Sequence, residues 1–257
     1  MNTFTLAIRQ IKYENLAFWR NPVSAFFTFI FPLMFLAIFN LLFGNREFEV
    51  PGGVTHTSTF YVPSIIALSV TSACYTNVAM SMTFSRDQGL LKRIRGAPLP
   101  VWAFLFGRIT TMLIVTMLLV TIVATAGVVF YGVDLPSKTF PAFISTLLIG
   151  SATFCILGIA ITSVIPNAQA APAVVNASIL PLLFVSDVFI PMNDAPNWLI
   201  NFTQKFPVKP FTSALHTAFN PFETGLGFEF ADIGVLVIWA VIGAILAIRF
   251  FSWEPRQ

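Results

Sequence analysis

The sequence predicts an all-α integral membrane protein: six transmembrane helices, an N-terminal interfacial helix, a short cytoplasmic helix between spans two and three, and an outer re-entrant hairpin between spans five and six. Three observations predict it. Only 10% of the 257 residues are charged, 56% are hydrophobic and the mean hydropathy is +0.82, whereas soluble domains carry about 25% charge. Six apolar runs are long enough to approach or cross a hydrocarbon core about 30 Å thick. The cations, finally, gather on one side of those runs.

Residues 1–21 come first. Phe4, Ala7, Ile8, Ile11, Asn15, Phe18 and Trp19 recur at steps of three and four, the spacing of one helical face. Arg9, Lys12, Glu14 and Arg20 mostly occupy other faces. A helix lying in the membrane interface fits, with Trp19 at headgroup depth. The spans are read at residues 23–43, 61–84, 104–131, 140–165, 172–189 and 233–251. They are continuous runs, unlike the alternating segments of a barrel, and helices satisfy their own backbone in lipid. Residues 190–232 mix prolines and aromatics with few charges. Short helices from Trp198 to Phe206 and from Pro210 to Phe219, neither of spanning length, predict a hairpin packed on the outer side.

An even number of spans puts both termini on one side. Taken as cytoplasmic, that side holds ten of the fourteen Lys and Arg, and the outside only Arg46, Lys138, Lys205 and Lys209. This is the positive-inside bias. Four of the ten, Arg86, Lys92, Arg93 and Arg95, lie within residues 85–100. Leu90, Leu91 and Ile94 stand at helical spacing between Gly89 and Gly96, and Pro98 and Pro100 stop the helix. A loop that only joined two spans would not need this apolar face. Contact with anionic lipid and docking of a partner both fit the pattern. Nucleic acid does not, since aromatic stacking partners are missing.

The stretch "SRDQGLLKRIRGAPLP" resembles the loop after the second span in permeases of the second exporter type of ATP-binding-cassette transporters. Arg86, Asp87, Gly89, Leu91, Lys92, Arg93, Ala97, Pro98, Leu99 and Pro100 occupy the places of that pattern. Gly107 and Arg108 in "AFLFGRI" continue it. "FVSDVFIPMNDAPNWL" is similar to the stretch after the family's fifth span, with Asp187 where a Gly usually stands.

The resemblance implies one transmembrane permease domain over residues 1–257 in a multi-pass cell-membrane protein. It also implies a second permease copy or paralogue and two copies of a separate ATPase that hold ATP and Mg. The sequence has no Gly-x4-Gly-Lys-Ser/Thr loop of its own, so no cofactor is expected on this chain. On that reading Arg86, Asp87, Gly89, Leu90, Leu91, Arg93, Ile94, Arg95 and Pro98 form the coupling element. The second and fifth spans line the path of a hydrophobic or amphiphilic compound, drug or lipid-like, through Leu68, Thr71, Tyr75, Asn77, Asn176, Leu180, Phe184 and Asp187. Small polar residues also pack helices together, and Asp187 is equally suited to capping a turn. A polysaccharide exporter, a channel-like protein and a structural membrane protein are the alternatives. A membrane enzyme is disfavoured, because the spans hold almost no ionisable residue and neither His56 nor His216 has partners at ligand spacing.

Overall fold

In the computed structural model the described residues are 3–43, 46–96, 99–192 and 195–254. Eleven helices and one β-hairpin follow in order among them: α1 (Thr3–Trp19), α2 (Pro22–Phe43), β1 (Glu47–Val50), β2 (Gly53–His56), α3 (Thr57–Thr71), a π-helical segment (Ser72–Thr76), α4 (Asn77–Asp87), α5 (Leu90–Arg95), α6 (Val101–Tyr131), α7 (Phe140–Ile161), α8 (Ala171–Phe184), α9 (Asn197–Thr203), α10 (Val208–Phe219) and α11 (Phe230–Phe250). Five continuous helical stretches are long and apolar enough to cross a membrane: α2, Thr57–Asp87, α6, α7 and α11. The protein is a multi-pass helical membrane protein.

Thr57–Asp87 is the centre of the bundle. Most of its apolar stretch is buried, whereas α2 and α11 leave most of theirs facing outward, as lipid-facing helices do. Its packing depends on small residues in its neighbours. A Cβ at Gly158 of α7 would stand 2.7 Å from the Tyr75 carbonyl oxygen, and one at Gly127 of α6 would stand 2.7 Å from a Val62 methyl. At Gly158 the two backbones approach too closely for any side chain, and at Gly127 the space is taken by the Val62 side chain.

The short helices between residues 190 and 232 fall close to where their apolar runs place them. α10 is well buried, and Phe211 packs edge-on against Phe154 with ring centres 5.3 Å apart. Three expectations change. The chain is not wholly helical: β1 and β2 pair antiparallel through a turn at Pro51 and Gly52, and Phe222 packs over Gly52 and Gly53. The second span is interrupted by the π segment, which no feature of the sequence marks. The fifth run forms a helix of 14 residues, about 21 Å long and too short to span alone. The backbone leaves the helix at Val185, and Asp187, with a left-handed φ of +59°, keeps the turn that follows from resuming it.

Candidate functional site

At the base of Thr57–Asp87 the chain turns sharply. Gly89 has φ +72°, a conformation open to Gly at little cost, and its N–H donates to the Arg86 carbonyl at 3.0 Å. The turn aims α5 away from α4. Leu91 is fully buried and Ile94 packs against the same core, while Leu90 (45% exposed), Lys92 and Arg93 face outward. The expected apolar face is therefore divided. Two of its three members anchor α5 to its own protein, and Leu90 with the two cations is left exposed. The side chain of Arg95 and all of Pro98 lie outside the described residues.

Arg86 and Asp87 turn inward. Arg86 is 1% exposed. Its Nη1 donates to the Thr162 carbonyl at 3.1 Å, and its Nη2 donates to the Ile165 and Pro166 carbonyls at 2.9 and 3.1 Å. Its Nε lies 3.3 Å from the Asp87 carboxylate, whose other oxygen accepts the Ala168 N–H. α7 ends at Ile161, so the guanidinium satisfies the carbonyl of its C-cap residue Thr162 and two carbonyls of the connection that follows, close to the negative end of the helix dipole. Asp87 meets the chain shortly before α8 begins. The two residues thus bolt the end of α4 to the α7–α8 connection.

A second fastening joins α1 to α6. A Cβ on Gly107 would stand 2.6 Å from Gln10, so α1 crosses α6 at that glycine. Arg108 pairs with Glu14 at 3.0 Å and donates to Ser81 on α4. Ala7 and Phe18 face inward, and Ile8, Leu16 and Trp19 outward. The expected single stripe is two faces, one on protein and one free for lipid.

Above these fastenings, between α2 and the second span, lies a cavity of about 460 Å³. Asn21, Ser24, Thr28, Ser69, Ser72, Thr76, Asn77 and Ser81 supply hydrogen-bonding groups, and Phe27, Phe31, Leu68, Met80 and Phe84 supply apolar surface. No lining residue carries a formal charge. Of the expected path residues, Leu68 and Asn77 line this cavity. Thr71 is buried and its hydroxyl has no partner among the described residues. Tyr75 points the other way and shares a 2.7 Å hydrogen bond with Ser178 of α8, tying the second span to the fifth run. Asn176, Leu180 and Phe184 form an exposed stripe on α8, outside the cavity. The α2 contribution was missed by sequence reasoning. Its signal was present: Asn21, Ser24 and Thr28 recur at i, i+3 and i+7 at the start of a largely apolar run.

Asp187 belongs to the opposite end. Its carboxylate pairs with Lys209 and accepts the Met192 N–H at 2.8 Å. Its carbonyl accepts the Ser64 hydroxyl at 3.0 Å, and Ser64 Oγ lies 2.9 Å from His216 Nε2. Burial pushes the His216 imidazole down to about 4, against the pull of the Asp187 carboxylate. The charge of Asp187 is met within the protein, and Asp suits the backbone turn because short polar side chains tolerate the left-handed region.

A bundle centred on one long span, with a bolted helix beneath it and an uncharged amphipathic cavity beside it, defines a membrane transport protein. The chain belongs to the ABC-2 type transporter family, whose sequence pattern matches residues 3–220. It is 29% identical over 153 residues to the probable multidrug ABC transporter permease YbhR of Escherichia coli (strain K12), covering 60% of this chain and 41% of that protein. It is 26% identical over 244 residues to the putative transport permease ycf38 of Cyanophora paradoxa, covering 88% of this chain and 82% of that one. It is also 26% identical over 237 residues to the probable doxorubicin resistance ABC transporter permease protein DrrC of Mycobacterium tuberculosis (strain CDC 1551 / Oshkosh), covering 89% and 80%.

Proposed function

We propose that the chain is the membrane-spanning subunit of an ATP-driven exporter that moves hydrophobic or amphiphilic compounds, drug or lipid-like, out of the cytoplasm by alternating access. A separate pair of ATPase subunits holds ATP and Mg, and a second permease copy completes the assembly. Both termini are cytoplasmic. α8 with the turn at Val185–Ile190 completes a sixth crossing, and residues 190–232 dip into the outer side as a hairpin.

One observation carries the reading. The helical stretch that forms a wall of the cavity is the one that ends in the α4–α5 lever. A push on Leu90, Lys92 and Arg93 thereby reaches Ser72, Thr76 and Asn77 through continuous backbone. Segments of π-helix recur at functional sites, and the one here lies between the lever and the outer half of the span. The cavity binds by aromatic contact and neutral hydrogen bonds, which suits a flat amphiphile bearing hydroxyl or carbonyl groups. Export requires that the two states of the bundle bind it unequally.

The test is co-purification with the cognate ATPase and measurement of ATP hydrolysis against doxorubicin, the compound in the name of one relative. Asn77→Ala and Thr76→Ala should each raise the half-stimulating concentration about five- to tenfold, the worth of one neutral hydrogen bond. Stimulation that is identical in a Ser72→Phe variant, which fills the cavity, overturns the assignment.

A further inference from the structure

A second groove lies at the other end of the bundle, on the lipid side. Between α2 and α6 lies a trough of about 660 Å³, lined mostly by apolar side chains such as Leu33, Leu36, Ile122 and Val129, with Thr121 and Thr125 among them. Phe130 and Tyr131 also line a smaller cavity of about 280 Å³ that contains Asn40 and Ser58, so the trough runs on into a polar notch. Asn40 is an amide in an otherwise apolar stretch of α2 and is 9% exposed. Its Nδ2 donates to the Leu36 carbonyl at 2.9 Å, while its Oδ1 accepts no hydrogen bond among the described residues. That oxygen is open to the notch that Asn40 lines, and a polar side chain inside a span is a functional-site candidate.

We infer that this groove is a binding site for a bilayer glycerophospholipid whose head carries an N–H or O–H donor, with one acyl chain in the α2–α6 trough and the head donating to Asn40. The walls are two membrane spans, so the medium that reaches the trough is acyl chain and not water. The gradient from apolar trough to amide notch runs toward the ends of α2 and α6, as a lipid does from chain to head. A second copy of this chain seated there would have to bring its own donor to the notch. Ethanolamine and glycerol heads carry such donors, and choline carries none.

The full-length chain, purified in mild detergent, is titrated by native mass spectrometry with dioleoyl phosphatidylethanolamine, phosphatidylglycerol and phosphatidylcholine. One bound molecule of the first two is expected per chain, with phosphatidylcholine about tenfold weaker. Asn40→Leu should bring all three to the phosphatidylcholine level. Ala126→Trp, which fills the trough, should weaken all three. Equal affinity for the three lipids in the unaltered protein overturns the inference, and so does unchanged binding in a folded Ala126→Trp variant. A photoreactive residue at Val129 that labels a second copy in place of lipid overturns it as well. The lipid comparison on the unaltered protein decides the matter should either variant fail to fold.

Discussion

Replacing Arg86 with alanine should destabilise the protein by about 3–5 kcal/mol, the usual cost of breaking a buried ionic network from one side. The figure follows from what is left behind. Three carbonyls lose a charged donor, each such bond contributing about 1.5–3 kcal/mol, and Asp87 keeps only its Ala168 contact. Pro166 is exposed, so water replaces part of the loss there and the sum of the three overstates it. With about 2–4 °C of melting temperature per kcal/mol for a chain of this size, the midpoint should fall by roughly 10 °C. Tryptophan fluorescence during heating in detergent reads this directly. Arg86→Lys should recover part of the loss, since an ammonium keeps the charge but cannot span three acceptors in one plane. A midpoint within about 2 °C of the unaltered protein in Arg86→Ala would show that the guanidinium does not hold the α7–α8 connection.

Leu90→Asp should leave the melting midpoint nearly unchanged yet abolish ATP hydrolysis coupled to the proposed partner ATPase, whereas Leu91→Asp should prevent folding, as seen by gel filtration; similar behaviour of the two would refute the division of α5 into an outer and an inner face. Gly158→Ala drives a methyl into the Tyr75 carbonyl and should cost about 1–3 kcal/mol in a denaturation series, since overpacking against backbone cannot relax cheaply. The folded His216 ring has its pKa lowered to about 4 from the ordinary 6.5, so its contribution to stability is intact above pH 6.5 and is lost as the pH falls toward 4; melting curves across that window should steepen this way, and His216→Gln should flatten them.

Much of this fold was legible in the residues. Apart from the fifth, the apolar runs gave their helices to within a few residues, because lipid leaves a long apolar segment few other options. The spacing of Leu90, Leu91 and Ile94 placed α5 correctly. What could not be read was direction. Charge bias says which side of a membrane holds Arg86 but not that it folds back under α7, since that depends on a partner about eighty residues on. Asp187 was legible as unusual: it replaces the Gly that the resemblance expects, and its positive φ explains why Gly suits that place. Its pairing with Lys209 was not legible. The β1–β2 hairpin announced itself weakly, through Pro51-Gly52-Gly53 between residues that alternate apolar and polar, a turn signal outweighed by the apolar runs around it. The π segment left no mark because its residues are as compatible with an α-helix.

The clasp of Arg86 and Asp87 has a mechanical corollary. Because the foot of the central span and the segment leading into α8 are fixed to one another, a torque applied at α5 cannot turn one without dragging the other. Tyr75 and Ser178 join the same two pieces higher up, so the pair behaves as a crank with little backlash. A stroke delivered from below would therefore rotate both together against the lipid-facing α2, and the gap that opens or shuts is the one beside it.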